Sequence, residues 1–347
     1  MSQLFEEPHR RKNPLTNEWV LVSPQRMKRP WQGRTETIAA QGPVAYDSTC
    51  YLCPRNTRNN GEINPDYSGT FIFDNDFPAL LNGGSEEHWS DGLLEATGNP
   101  GICRVICFSP DHSKTLADMS VNEIRKIVTA WMTEYKQLAA IPGIRNIQIF
   151  ENKGEMLGCS NPHPHGQIWA ESSVPVEIEK RIFTQAHYYK EKGRSMLSDY
   201  LHTEWEKEDR IITRNEHFTA LVPFWAVWPY EVMIIPHRHF ARITDMDEAE
   251  GDAFASILQE TTVRFDNLFQ TSFPYSAGMM NAPVRTAGTD GWHFHFSFYP
   301  PLLRSATVRK FMVGYEMFAN PQRDITAEYA AQVLREQSTV HFKTKSV

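Results

Sequence analysis

Asn161-Pro162-His163-Pro164-His165-Gly166-Gln167-Ile168-Trp169 and Trp292-His293-Phe294-His295-Phe296-Ser297-Phe298-Tyr299 read as two versions of one element. In extended chain alternate side chains share a face, so His163, His165 and Gln167 point one way. Working back from each stretch, the same signals recur in the same order. Asp111-His112 precedes Leu116-Ala117-Asp118-Met119-Ser120 and an amphipathic run; Arg238-His239 precedes Ile243-Thr244-Asp245-Met246-Asp247 and another. His112 and His239 are 127 residues apart and the His-x-His pairs 130 apart, a difference one loop absorbs. Each run opens with a capping box, Ser120 with Glu123 and Asp247 with Glu250. Apolar residues then recur at helical spacing: Ile124, Ile127, Val128, Trp131 and Tyr135, then Phe254, Ile257, Leu258, Phe265 and Leu268. The order predicts an internal repeat.

Short β-branched and aromatic runs predict strands at Thr70–Asp74, Arg104–Phe108, Asn146–Glu151, Gln167–Glu171, Phe218–Val222, Val232–Ile235 and His293–Tyr299. With one long helix per half, the class is α+β. The sheet is mainly antiparallel, because the connections are too short for repeated parallel crossovers. Asn82–Gly101, rich in Gly and acidic residues, is expected to be a disordered loop. The halves are expected to meet near Glu171–Glu179, dividing the chain into 1–175 and 176–347.

A length of 347 residues exceeds what one core usually spans and suits two similar halves. Hydrophobic residues at 41% against charged residues at 22% exclude wholesale disorder. The formal charge of −7 removes the whole-chain electrostatic case for a nucleic-acid or anionic-membrane binder. No apolar run approaches the roughly 20 residues that cross a bilayer. The start, Met1 to Leu15, is too polar for a signal peptide, so a cytoplasmic protein is expected. All five cysteines, Cys50, Cys53, Cys103, Cys107 and Cys159, lie in the first half, an odd number that suggests ligands or buried thiols rather than disulfides.

Cys50-Tyr51-Leu52-Cys53 offers two thiolates to a metal, and zinc takes four ligands in a tetrahedron. His112 and His163 are the best candidates for the second pair. Reduced thiols or a redox pair are the alternatives, although Pro54 and Asn56 suggest a knuckle turn rather than a helix start. In His163-Pro-His165-Gly-Gln167 one histidine can serve a metal and the other chemistry. A neutral imidazole is a competent nucleophile near pH 7, and attack on phosphorus gives a phosphoramidate that can pass the group onward. Gln167 offers an amide donor to phosphoryl oxygens. Metal or core histidines without catalysis remain the plainer reading. Asn152-Lys-Gly154 and Gly158-Cys159-Ser160 can present amides and a hydroxyl to an anion. Arg26, Lys28 and Arg29 form a basic stretch that suits a phosphate-bearing ligand or a solvated loop equally.

Taken together, Cys-x-x-Cys, Ser109-Pro-Asp-His112-Ser-Lys114, Phe150-Glu-Asn152-Lys-Gly154, the run Gly158–Trp169 and the run Tyr299–Glu316 resemble the galactose-1-phosphate uridylyltransferase family of the histidine-triad superfamily. The likeness spans Pro8 to Phe342. It implies two tandem histidine-triad-like halves acting as a homodimer, and a ping-pong reaction. His165 would take the uridylyl group from UDP-glucose, releasing glucose 1-phosphate, and pass it to galactose 1-phosphate to give UDP-galactose. One zinc per subunit would be held by Cys50, Cys53, His112 and His163. Ser160 and Gln167 would contact phosphoryl oxygens. Asn75, Asp76, Asn152 and Gly158, with Cys159 beside it, would place the nucleotide. Lys310, Phe311, Val313, Tyr315 and Glu316 would face the sugar, and Arg26, Arg29 and Gln322 would reach over from the partner subunit.

One departure concerns a second metal, usually iron, that some members hold in the second half with a Glu and three His. Here His295 matches one histidine, Ser297 replaces another, and Met279, Met280 and Asn281 stand where a third is expected. The carboxylate position is Arg181. No second-half iron site is expected, and His295 reads as a structural strand histidine. Competing readings are a nucleotide-sugar phosphorylase or hydrolase of the same superfamily, or a zinc-stabilised nucleotide-binding protein without turnover. Gln167 stands where the typical hydrolase has a histidine, and an amide can be neither acid nor base, which favours transfer.

Overall fold

The computed structural model describes residues 3–28, 44–159 and 161–345; Arg29 and Ser160, both expected at the site, lie outside them. The strands are β1 (His9–Lys12), β2 (Trp19–Val22), β3 (Phe71–Asp74), β4 (His88–Asp91), β5 (Leu94–Thr97), β6 (Gly101–Cys107), β7 (Asn146–Lys153), β8 (His165–Glu171), β9 (Ile211–Arg214), β10 (Phe218–Leu221), β11 (Val232–Pro236), β12 (Tyr275–Met280), β13 (His295–Tyr299) and β14 (Gln322–Arg323). The helices are α1 (Val121–Ala140), α2 (Val176–Lys192), α3 (Met196–Lys207), α4 (Glu248–Phe269), α5 (Tyr315–Phe318) and α6 (Ala327–Arg335).

Nine strands form one sheet in the order β3-β6-β8-β7-β12-β13-β11-β10-β9, with antiparallel neighbours throughout. Outward from the central β7–β12 pair, β7-β8-β6-β3 on one side answers β12-β13-β11-β10 on the other. The unit β6-α1-β7-β8 thus returns as β11-α4-β12-β13, and the repeat read from the histidine clusters is a doubled topology within one sheet. Tyr275 pairs with Lys153 and Gly278 with Phe150 at the join.

Both capping boxes form: Ser120 Oγ accepts from Glu123 N at 3.3 Å and Asp247 Oδ1 from Glu250 N at 2.8 Å. The apolar stripes behind them are buried in a shared core under one face of the sheet, with Leu268 only partly covered. Ile147 and Ile149 of β7 point into that core, so the alternation of the strand turns Phe150 and Asn152 to the opposite face. In the second half α2 covers that opposite face, where Gln185 Oε1 accepts from His293 N at 3.1 Å.

The expected loop over Asn82–Gly101 is instead partly a hairpin. β4 and β5 pair from His88↔Thr97 to Asp91↔Leu94 around Gly92, whose φ of +62° suits a two-residue turn. A small sheet of β1, β2 and β14 joins the two ends of the chain.

Candidate active site and metal centre

The Cys50–Cys53 turn is held from within: Cys53 N donates to Cys50 O at 3.1 Å, and the Asn56 amide donates to the carbonyls of Asp47 and Cys50, both at 2.8 Å. That turn presents both thiols to two histidines. Nδ1 of His112 and Nδ1 of His163 each lie 3.5 Å from Cys53 Sγ, and the four donor atoms all fall within 4.8 Å of one another. Zinc bonds of 2.0–2.3 Å in a tetrahedron place neighbouring donors roughly 3.3–3.8 Å apart, so the set fits such an ion. Among the described residues it is the one group of three or more such side chains close enough to hold a metal. Burial lowers His163 to about 4, leaving it neutral as a ligand must be, and pushes the Cys53 thiol to about 11, so its thiolate needs a cation beside it. Asn161, which sequence reasoning missed, bridges centre and loop: its Nδ2 donates to Cys50 Sγ at 3.3 Å and its Oδ1 accepts from His163 N at 3.0 Å.

His165 opens β8 opposite Cys107. Its Nδ1–H donates to the His163 carbonyl at 2.7 Å, which leaves the Nε2 lone pair free. Burial lowers its pKa, so the ring is neutral near pH 7. His165 and Gln167 line a cleft together with Asn75, Asp76, Asn152, Gly158 and Cys159. Tyr51, Phe73, Phe77 and Val105 add apolar walls, the last three at positions that no motif marks. The polar groups are fixed in place. Asp76 pairs with Arg58 at 3.1 Å, both side chains under a tenth exposed. Asn152 Oδ1 accepts from Ser276 Oγ at 2.8 Å, and Gln167 Oε1 from Trp169 Nε1 at 3.0 Å, so each amide keeps its NH2 to offer. The Cys159 thiol, raised by burial, donates to the Asn161 carbonyl at 3.1 Å. Gly154 (φ +93°) and Gly158 (φ +78°) turn the loop that leads into the motif. A neutral nucleophilic nitrogen among fixed amide donors suits attack on a phosphoryl centre.

The remaining sequence candidates gather elsewhere. Lys310 Nζ pairs with Glu316 at 2.5 Å, Glu316 Oε1 accepts from Gln322 N at 2.8 Å, and Gln322 Nε2 donates to Asp324 at 2.7 Å. Asp324 in turn accepts from Arg26 Nε at 2.8 Å. Phe311, Val313 and Tyr315 stand beside this cluster 55%, 60% and 53% exposed. None of these residues lines the cleft at His165.

The second half repeats the strand device. His295 Nδ1–H donates to the His293 carbonyl at 3.0 Å, as His165 does to His163. His293 is itself pinned, accepting from Ser195 Oγ at 2.7 Å and donating to the Pro236 carbonyl at 3.0 Å. Burial lowers His295 to about 4, and the nearby guanidinium of Arg181 acts in the same direction. Met280 sits opposite His295 and Ser297 occupies the place of Gln167. Arg181, the residue at the expected carboxylate position, is itself tied to Glu177 by a salt bridge at 2.8 Å.

This doubled sheet is the uridylyltransferase fold: a solved uridylyltransferase superposes with a TM-score of 0.75 at 26% identity, over 94% of this chain and 97% of that one. An ADP-glucose phosphorylase from Arabidopsis thaliana shares the fold at a TM-score of 0.74 and 24% identity, covering 96% of this chain and all of that one. The chain belongs to the galactose-1-phosphate uridylyltransferase family, whose N-terminal domain matches residues 2–175 and whose C-terminal domain matches residues 179–346. It is 49% identical to a galactose-1-phosphate uridylyltransferase of Haemophilus influenzae over the full length of both chains. It is 47% identical to one of Rattus norvegicus, over 97% of this chain and 89% of the other. No helix among the described residues is long and apolar enough to cross a membrane.

Proposed function

We propose that this chain exchanges a uridylyl group between sugar phosphates: UDP-glucose and galactose 1-phosphate give glucose 1-phosphate and UDP-galactose. The observation that carries the reading is the hydrogen bond from His165 Nδ1 to the His163 carbonyl, which presents Nε2 to a cleft of fixed amides. Nε2 attacks the α-phosphorus; an N–P bond forms as the bridging P–O bond breaks, and glucose 1-phosphate leaves with the electron pair. A phosphate oxygen of galactose 1-phosphate then attacks the same phosphorus and the N–P bond breaks, restoring the neutral ring. Gln167, with Ser160, steadies the phosphoryl oxygens where charge builds up. Asn75, Asp76, Asn152 and Gly158 hold the nucleotide. Two near-equivalent phosphodiesters need no external energy, only exclusion of water while the phosphoramidate waits.

Cys50, Cys53, His112 and His163 hold zinc, to which thiolate and imidazole donors are suited. When bound, the ion neutralises the thiolates and fixes the strand entry before His165. Residues 1–175 carry this centre and the nucleophile, and 176–347 the degenerate repeat with the sugar and dimer contacts. The cluster of Arg26, Lys310, Glu316 and Gln322 stands apart from His165 within one chain. A homodimer brings it, with Arg29, over the partner's cleft, where Lys310, Phe311, Val313, Tyr315 and Glu316 meet the sugar. Free cysteines fit a reducing cytoplasm.

The test is isotope exchange. Labelled glucose 1-phosphate should enter UDP-glucose with no galactose 1-phosphate present, because the half-reaction is reversible on the enzyme. Net transfer without such exchange would exclude the covalent route.

A further inference from the structure

Tyr67 lies outside every motif, yet its hydroxyl joins both parts of the metal centre. It donates to the Leu52 carbonyl at 2.6 Å and lies 3.0 Å from His163 Nε2. A phenol has one hydrogen. With that hydrogen committed to Leu52, the hydroxyl oxygen accepts from Nε2–H. His163 is therefore held as the Nε2–H tautomer, with its lone pair on Nδ1, 3.5 Å from Cys53 Sγ. Leu52 sits between the two cysteines, so one hydroxyl ties the knuckle to an imidazole from far along the chain. The ring is fixed by stacking on Phe71 at 5.0 Å, and Phe71 on Phe73 at 5.3 Å. The connection continues past the centre, since the His163 carbonyl receives Nδ1–H of His165 at 2.7 Å.

We infer that Tyr67 is a positioning residue: it sets the tautomer and ring plane of His163 toward the metal and, through the His163 carbonyl, keeps His165 aimed at the cleft. Partners of this kind orient metal-ligating histidines, and their loss typically costs 10- to 100-fold in metal affinity. The inference rests on the reading of the four donors as a zinc centre.

The experiment uses the full chain and two metals. Zn2+ affinity is measured by chelator competition for the parent, Tyr67→Phe and Tyr67→Leu, and the visible spectrum is recorded for each Co2+ form. Tyr67→Phe keeps the ring and should bind Zn2+ roughly 10- to 100-fold more weakly, with shifted Co2+ bands. Tyr67→Leu should lose affinity to a similar degree. Parent-like affinity in Tyr67→Phe overturns the assignment, as does a loss seen only in Tyr67→Leu, which would make the ring's packing responsible. A Tyr67→Phe chain without native circular dichroism overturns it as well. A parent that takes up neither Zn2+ nor Co2+ would instead sink the zinc reading itself.

Discussion

The indole Nε1–H of Trp169 donates to Oε1 of Gln167, two residues back along β8, at 3.0 Å. That bond decides which way the amide faces, and so which end of Gln167 is turned to the cleft. Trp169 also meets Phe150 edge-on at 5.6 Å, a contact Phe can retain. Trp169→Phe should therefore cost about one hydrogen bond, ~1 kcal/mol, and lower kcat roughly fivefold. KM for UDP-glucose should change little. Gln167→Ala, which removes the donor itself, should lose roughly 100- to 1,000-fold in kcat. Steady-state kinetics of both variants check this, and a Trp169→Phe enzyme with parental kcat contradicts it.

Gly166 separates His165 from Gln167 and lies where β8 comes close to its neighbours. A Cβ there would stand 2.9 Å from the Phe150 carbonyl oxygen and 2.9 Å from Phe108 Cζ. The carbonyl belongs to the β7 backbone and cannot swing aside. Gly166→Ala should destabilise the fold by about 1–3 kcal/mol, read from the urea midpoint. An unchanged midpoint would show that the strands have room to part.

Metal removal should act on stability before chemistry. Ion binding to the folded chain alone adds about 4 kcal/mol when the ion is at 1,000 times its dissociation constant. Cys50→Ser should lose the bound metal and most of that increment, and the parent should lose it in a strong chelator. Metal analysis with thermal unfolding tests this; a chelated parent with an unaltered Tm would remove the structural role.

Glu151 supplies a pH signature away from the metal centre. Burial raises its carboxyl to about 7, against the lowering effect of Lys153 and the Tyr275 hydroxyl, with Asp266 adding a small upward push. Asp266 is itself engaged by Lys153 at 3.1 Å and by His341 at 3.2 Å. An unfolded Glu releases its proton near 4.5, so between about 4.5 and 7 the folded chain binds more protons. This group's contribution to stability therefore falls as pH rises through that window, by on the order of 3 kcal/mol. Glu151→Gln should flatten the dependence and raise stability at neutral pH. Urea unfolding at several pH values gives the slope, and identical slopes for parent and variant would contradict the assignment.

The repeat was legible because its signals are local. Capping boxes at Ser120 and Asp247 and His-x-His pairs lie within a few residues of the structure they specify. β12 escaped notice because Tyr275–Met280 holds one aromatic and no β-branched residue, and Gly278 is of a type depleted in strands. α2 carries few buried apolar residues, and the β4–β5 hairpin is exposed on both faces, so neither shows a core-facing period. The clustering of Cys50, Cys53, His112 and His163 could be anticipated from spacing and resemblance. The bonds from Tyr67 to His163 and from Asn161 to Cys50 could not, because each joins segments remote in sequence. Arg26 likewise reads as a basic loop until its partner Asp324, 298 residues on, is placed beside it.

The account stands on Nε2 of His165 becoming covalently linked to a nucleotide. Incubating the enzyme with UDP-glucose labelled at the α-phosphate, without acceptor, should release glucose 1-phosphate equal to the active sites. It should leave an acid-labile, alkali-stable label that maps by mass spectrometry to His165 and is absent from His165→Ala. Steady release of UMP with no label on the protein at any time would contradict it.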